Sequence, residues 1–146
     1  MRISLQNLIP PKSLPWRDKW LFIKSVSLAL FIRVSIRLAG FKRTVRLIRR
    51  LENKTHRIEN EVTELKRFRA VMILAYRLYP VVNCLAICTA CWLLLKQRGI
   101  RSDLKFGMRK EGNKLKAHAW LEHQGETIAQ DNRFKEKYIA FSQSIL

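Results

Sequence analysis

Residues 83–100 read NCLAICTACWLLLKQRGI, and the interpretation of the whole fold depends on this stretch. Residues 78–95 carry no charge, which suggests a membrane span. Asn83, however, is a favourable helix N-cap, and a helix from Cys84 keeps only about 12 uncharged residues, roughly 18 Å, against a hydrocarbon core of about 30 Å. Gly99 is a typical residue for ending such a helix. The stretch therefore predicts a buried helix at the centre of a domain.

The hydrophobic period changes from helical to alternating after this helix. Apolar and polar residues alternate over residues 103–108 and again over residues 115–122, with a turn expected at 111–113 between them. A second turn is expected at 124–125, and residues 127–129 are a candidate third strand. Helices followed by a small antiparallel sheet predict an α+β fold.

Two helical regions precede the central helix. Trp16 to Ala39 is rich in large apolar residues and should end near Gly40. Residues 42–78 look like a second, longer helical region, which we expect to pack on its own domain rather than to form a coiled coil. Its apolar seam is broken by a threonine and an arginine: Ile48, Leu51, Thr55, Ile58, Val62, Leu65, Arg69 and Met72.

The positive charge is concentrated at the N-terminal end. The net charge is +18, and residues 1–50 hold 12 of the 29 Lys and Arg residues but one of the 11 acids. Such a surface attracts phosphates, anionic lipid or an acidic protein. On a helical wheel Lys24 lies opposite Arg33, whereas a membrane-surface helix usually keeps its cations on one face. We therefore expect these helices to pack within the protein or its complex, with peripheral membrane contact left open.

Three cysteines lie within eight residues, at Cys84, Cys88 and Cys91. A disulfide scaffold would spread them along the chain, so they indicate a reducing compartment, and no signal peptide pattern is found. Their spacing matches that of the iron–sulfur motif of radical-SAM enzymes. In that family, however, the motif lies on a loop, whereas these cysteines are predicted to lie on a helix. A zinc site would need a fourth ligand and a partner cysteine pair, which is absent. We predict no metal or cofactor, and we interpret Cys88 and Cys91 as core residues.

Cys84 and His118 are the residues that best fit catalysis. A cysteine in the first turn of a helix is placed where the N–H groups and the helix dipole favour a thiolate, although many free cysteines are simply buried. His118 lies in mid-strand between two alanines, a position that often holds only a structural histidine. A helix-start Cys, a strand His and then Asp131 after a hairpin fit a Cys-His-Asp triad. Glu122 is a rival orienting group, but four strand residues put it ~13 Å from His118.

These residues also carry a family resemblance. Cys84-Leu85, residues 92–95 and residues 98–100 look like the catalytic helix of lasso-peptide leader peptidases, which are transglutaminase-like cysteine proteases. The resemblance continues through residues 104–109 and is most specific at Ala-His-Ala-Trp-Leu-Glu, residues 117–122. It covers about residues 78–141 closely. The helices before this range resemble the family only in being basic and rich in Leu and Arg.

The resemblance implies both architecture and activity. It implies a transglutaminase/papain-like core at residues 79–146. The length of the chain predicts a single domain of residues 1–146, in which the prolines of residues 1–15 predict an irregular arm and residues 16–78 a basic helical part before this core. The resemblance implies a cysteine peptidase that removes the leader from a ribosomally made lasso-peptide precursor. Its catalytic triad would be Cys84, His118 and Asp131.

The resemblance also implies partners and a location. Members work with a separate leader-recognition protein and with an ATP-dependent macrolactam synthetase, so we expect recognition of the precursor peptide to come in trans. It implies no nucleic-acid partner and a cytoplasmic location. Two alternatives remain: a transglutaminase-like acyl transferase, and a non-enzymatic basic adaptor that binds membrane or nucleic acid through residues 17–50.

Overall fold

The structure, a computed structural model, describes residues 15–51, 60–78, 83–129 and 136–140. The helices in these ranges are α1 (Trp16–Ala39), α2 (Phe41–Leu51), α3 (Glu61–Tyr76) and α4 (Cys84–Gln97). The strands are β1 (Asp103–Glu111), β2 (Lys114–His123), β3 (Glu126–Thr127) and β4 (Ile139–Ala140). Helices followed by a small antiparallel sheet confirm the predicted α+β class. The predicted irregular arm lies, apart from its last residue, outside the described residues.

The central helix α4 begins and ends where the sequence predicts. The Asn83 side chain accepts a hydrogen bond from the backbone N–H of Ala86 at 2.8 Å, which caps the first turn. At the other end, Gly99 has φ +76°, and the N–H of Ile100 reaches back to the carbonyl of Leu95, the pattern of a Schellman motif. Every residue from 86 to 95 is buried, because α1 and α3 pack on one side of α4 and the sheet on the other.

The sheet has the strand order β3-β2-β1-β4 and is antiparallel throughout. β1 and β2 form a hairpin whose last pair is Glu111 with Lys114, leaving a two-residue turn in which Gly112 has a positive φ. A second tight turn at Gln124–Gly125, both with positive φ, leads into β3. Both predicted turns are therefore confirmed.

The edges of the sheet differ in detail from the prediction. β3 occupies residues 126–127 rather than 127–129, although the N–H of Ile128 still bonds to the carbonyl of Leu121. β4 was not predicted, because two residues are too few to show alternation. Leu115 and Ala117, near the tip of the hairpin, are exposed although they share a face with the buried Ala119.

The region predicted as one long helix contains two helices, α2 and α3. Residues 52–59, which hold Thr55 and Ile58 of the expected seam, lie outside the described residues. The expected seam holds only in part for α3, because Val62 and Arg69 are exposed whereas Met72 is buried. The buried face of α3 consists of helix-spaced residues, of which only the fourth belongs to that seam: Glu64, Phe68, Val71, Met72 and Ala75.

An ion-pair cluster holds the helices around one end of α4. Arg67 of α3 pairs with Asp18 of α1 at 3.1 Å and with Glu64 at 2.7 Å, and Glu64 also pairs with Arg98 at 2.9 Å. Arg98 lies over the ring of Phe68, 5.0 Å from its centre. Burial lowers the pKa of Arg98, and the Glu64 carboxylate opposes that shift. The cluster fixes α1 and α3 relative to the C-terminal end of α4.

Helix α1 packs on α4 along one face only. Its buried positions are Leu21, Ser25, Ala29 and Ile32, spaced as one side of a helix. These residues join the hydrophobic core formed by α3, α4 and the sheet. None of the helices in the described ranges combines the length and the apolar content that crossing a bilayer requires.

Candidate active site at the start of the central helix

Cys84 is the first residue of α4, and its side chain is half-buried. The Asn83 cap uses the N–H of Ala86, and the Asn83 carbonyl accepts from the N–H of Ile87 at 3.1 Å. The first turn of α4 contains no acidic residue. A helix start of this kind stabilises negative charge through its free N–H groups and its dipole. Cys84 therefore has the position that the sequence predicts for a nucleophile.

Cys88 and Cys91 are fully buried members of the core, which confirms their interpretation as core residues. The Cys88 thiol donates to the carbonyl oxygen of Ala119 at 3.3 Å and lies 3.4 Å from the hydroxyl of Tyr76. Burial raises the pKa of the Cys88 thiol far above its usual value and that of Cys91 to about 12. Both thiols are accordingly protonated and inert near neutral pH.

His118 lies on β2 opposite Gly107 of β1 and is half-buried. The next residue, Ala119, accepts the hydrogen bond from Cys88, which lies one helical turn after Cys84. β2 therefore contacts α4 directly beside His118, and it does so on the helix face that also carries Cys84.

Tyr76, at the end of α3, lies near His118 and contacts α4. Its ring centre is 6.4 Å from that of His118, and its hydroxyl lies 3.4 Å from the sulfur of Cys88, one helical turn after Cys84. Burial, followed by the influence of Cys88, raises the pKa of Tyr76 well above its usual value, so the phenol is neutral. Tyr76 is thus close both to Cys88 of α4 and to His118 of β2.

Asp131, the predicted third member of the triad, lies outside the described residues and stays a prediction. Glu122, its rival, accepts a hydrogen bond from the indole N–H of Trp120 at 2.8 Å. A carboxylate held by that indole, four residues along β2 from His118, is a poor candidate for orienting the imidazole.

Comparison with known protein families identifies the superfamily of this chain. Residues 28–143 match the family described as the Transglutaminase-like superfamily. The chain belongs to the transglutaminase-like superfamily. No curated protein and no solved structure matches it.

The transglutaminase-like superfamily generally contains cysteine proteases and transglutaminases, and the four helices and antiparallel sheet agree with its core. The matched range includes Cys84, His118 and Asp131. The superfamily fits activity of the cysteine-peptidase or acyl-transferase type. Among the described residues, no group of three His, Cys, Asp or Glu side chains is arranged to hold a metal ion.

Three residues around His118 were not predicted as part of this transglutaminase-like site. The ring of Tyr138, just before β4, is 5.7 Å from that of His118 and 6.1 Å from that of Trp120. Gly107 leaves room for both, because a Cβ added there would lie 2.8 Å from the Trp120 ring and 2.9 Å from the Cβ of Tyr138. A glycine inside a predicted strand often marks such a close approach, and that signal was available in the sequence.

Alkylation should distinguish the three thiols. We expect iodoacetamide at neutral pH to modify Cys84 well before Cys88 or Cys91 in the folded protein, because only Cys84 is partly exposed. Peptide mapping after timed quenching measures the order, and the denatured chain, in which all three should react at similar rates, serves as the control. Preferential modification of Cys91 would contradict the assignment.

Gly107→Ala should disturb the aromatic residues around His118. The new Cβ must displace Trp120 or Tyr138, and overpacking of this kind costs about 1–3 kcal/mol of the free energy of unfolding. Thermal unfolding measures this loss, and reduced turnover would show that His118 had moved as well. Gly112→Ala is the control: an added Cβ meets open space there, but the positive φ of Gly112 disfavours alanine, so the substitution should lower stability without lowering turnover. Wild-type stability for Gly107→Ala would contradict the packing.

Proposed function

We propose that this chain is a cysteine peptidase that removes the leader from a ribosomally made lasso-peptide precursor. Membership of the transglutaminase-like superfamily supports the enzyme class. The observation that carries the proposal is the position of Cys84 at a capped helix start, on the face of α4 that contacts β2 beside His118. The choice of a lasso-peptide precursor depends on the sequence resemblance around residues 117–122.

The proposed reaction assigns a role to each of the three candidate residues. His118 takes the proton of the Cys84 thiol, and the sulfur attacks the carbonyl carbon of the peptide bond between leader and core. The C–N bond breaks when His118 donates that proton to the leaving amine, which frees the core peptide and leaves the leader as a thioester on Cys84. Water, deprotonated by His118, then releases the leader and restores the thiol. Asp131 is proposed to orient the imidazole.

The surroundings of His118 suit this role. The rings of Tyr76 and Tyr138 pack near its ring, at 6.4 Å and 5.7 Å between ring centres, and this packing limits its rotation. Rotamers held by packing keep catalytic groups close to productive geometry. The aromatic neighbours therefore favour a fixed imidazole over a freely rotating surface histidine.

The proposal includes partners and a location. A separate leader-recognition protein would deliver the precursor, and an ATP-dependent macrolactam synthetase would use the released core peptide. The cytoplasm is the expected compartment, because the precursor is made by ribosomes and all three cysteines are free thiols.

Mass spectrometry of a reconstituted reaction tests the proposal. The purified chain, the precursor and the recognition protein should yield a free leader whose mass corresponds to hydrolysis. A leader joined to an added amine would instead identify an acyl transferase, since both reactions pass through the same thioester. An intact precursor at every enzyme concentration, with Cys84 fully reduced, would reject both activities.

A further inference from the structure

The face of α1 that points away from the core carries an apolar stripe, which the exposed Ser27 interrupts near its middle. Its members are exposed large apolar residues: Trp16, Trp20, Ile23, Leu30, Phe31, Val34 and Leu38. At about 100° per residue they fall within an arc of about 100°, opposite the buried face that packs on α4. We call these seven residues the α1 stripe. It is about 33 Å long, the rise of 22 helical residues.

Cations border the α1 stripe on both sides. On the helical wheel Arg17 and Lys24 lie along one edge, and Lys19, Arg33 and Arg37 lie along the other. The opposed positions of Lys24 and Arg33 therefore mark the two edges of an exposed apolar surface. Lys and Arg side chains in such positions can extend to phosphate headgroups while their aliphatic stems stay on the apolar surface.

Helix α2 adds further positive charge directly after Gly40. Its cations Lys42, Arg43, Arg46, Arg49 and Arg50 fall within an arc of about 120° on the wheel. Residues 16–51 contain ten Lys or Arg and one acid, Asp18, which is paired with Arg67. The charge of this region is therefore almost entirely positive.

We propose that α1 lies on the surface of a membrane that contains anionic lipids, with the α1 stripe in the interface and its bordering cations among the headgroups. An apolar face with Trp and Phe, flanked by Lys and Arg, is characteristic of interfacial helices. A second copy of the chain is a poor occupant, because two such stripes would bring like charges together. Protein interfaces are also depleted in Lys, which borders both edges of this stripe. The proposal does not depend on the peptidase activity.

Vesicle binding by the full chain tests the charge requirement. At about 0.15 M ionic strength, we expect binding to phosphatidylcholine vesicles that contain phosphatidylglycerol to be at least about tenfold tighter than binding to phosphatidylcholine alone. Co-sedimentation measures both. Equal affinity for the two vesicles, or no affinity for either, would overturn the proposal.

Two matched substitutions test the stripe itself. Phe31→Glu, within the α1 stripe, should weaken binding at least about tenfold, because it removes apolar area and adds a negative charge. Leu115→Glu makes the same change in charge at an exposed apolar residue of β2 and should retain most of the binding. Circular dichroism checks that both variants fold. Equal loss in the two variants would show binding by charge alone and contradict insertion of the stripe.

Tryptophan quenching gives a second measurement on the unmutated protein. Trp16 and Trp20 are 80% and 62% exposed, whereas Trp92 and Trp120 are 4% and 2% exposed. Brominated lipids should therefore quench part of the emission. The double substitution Trp16→Phe and Trp20→Phe should abolish that quenching while vesicle binding continues. Binding without quenching in the unmutated chain would contradict the proposal.

Two further outcomes would assign the α1 stripe to a protein. A dimer in light scattering that Phe31→Glu dissociates, without vesicle binding, would identify a second copy as the occupant. Polyglutamate binding in the absence of vesicle binding would identify an acidic protein partner. Either result would overturn the membrane proposal and leave the proposed peptidase activity unaffected, since that activity is measured without lipid.

Discussion

Cys84→Ala is expected to lower turnover of the precursor by about 10⁴-fold or more, because it removes the proposed nucleophile. The other two thiols cannot replace it: Cys88 and Cys91 are fully buried, and burial raises the pKa of both. Released leader is measured by mass spectrometry under single-turnover conditions. Cys84→Ser should be nearly as inactive, because a hydroxyl is a much weaker nucleophile than a thiolate.

Cys91→Ala is the matched control for this experiment. Cys91 lies on the same helix and is buried among apolar residues, so its truncation should cost about 1 kcal/mol of stability and leave turnover measurable. Cys88→Ala is a weaker control, since it also removes the hydrogen bond to Ala119 beside His118. Turnover that survives Cys84→Ala but not Cys91→Ala would reject Cys84 as the nucleophile.

The parts of the fold that were predicted correctly have local causes. Asn83 and Gly99 define α4 through capping interactions that involve only neighbouring residues. The two sheet turns are equally local, because each contains a glycine at positive φ. Such signals can be recognised without knowing what the helix or hairpin packs against.

The parts that were missed depend on tertiary contacts. The buried face of α3 could not be chosen from periodicity, since Val62 and Phe68 both belong to helix-spaced apolar sets and only packing on α1 and α4 decides between them. β4 exists because two residues pair with Met108 and Gly107, far earlier in the sequence. The exposed face of α1 likewise became apparent only once its buried face was known.

In the candidate site, too, the residues that were predicted have local sequence signals, whereas those that were missed depend on tertiary contacts. Cys84 and His118 were recognised from a helix start and from a strand histidine between small residues. Tyr76 and Tyr138, which lie against the His118 ring, come from the end of α3 and from the residue before β4. Their separation from His118 in sequence, 42 and 20 residues, gives no local signal of contact.

His118→Ala is expected to lower turnover by about 10³-fold, as removal of a general acid–base residue typically does. His118→Gln should be similarly impaired while occupying more of the space beside Tyr76 and Tyr138, which separates loss of chemistry from loss of packing. The reaction of Cys84 with iodoacetamide should also slow in both variants, because the imidazole is proposed to take the thiol proton. A merely structural histidine would not change that rate once the fold is intact.

Lys116→Ala provides the comparison for this last experiment, because Lys116 lies two residues before His118 on the same strand and face but is exposed. Its ion pair with Glu111 is also exposed, so its removal should have little effect on stability and leave both turnover and alkylation unchanged. If His118→Gln resembled Lys116→Ala in both measurements, His118 could not be the base that activates Cys84. The proton acceptor would then have to be sought among other groups near the start of α4.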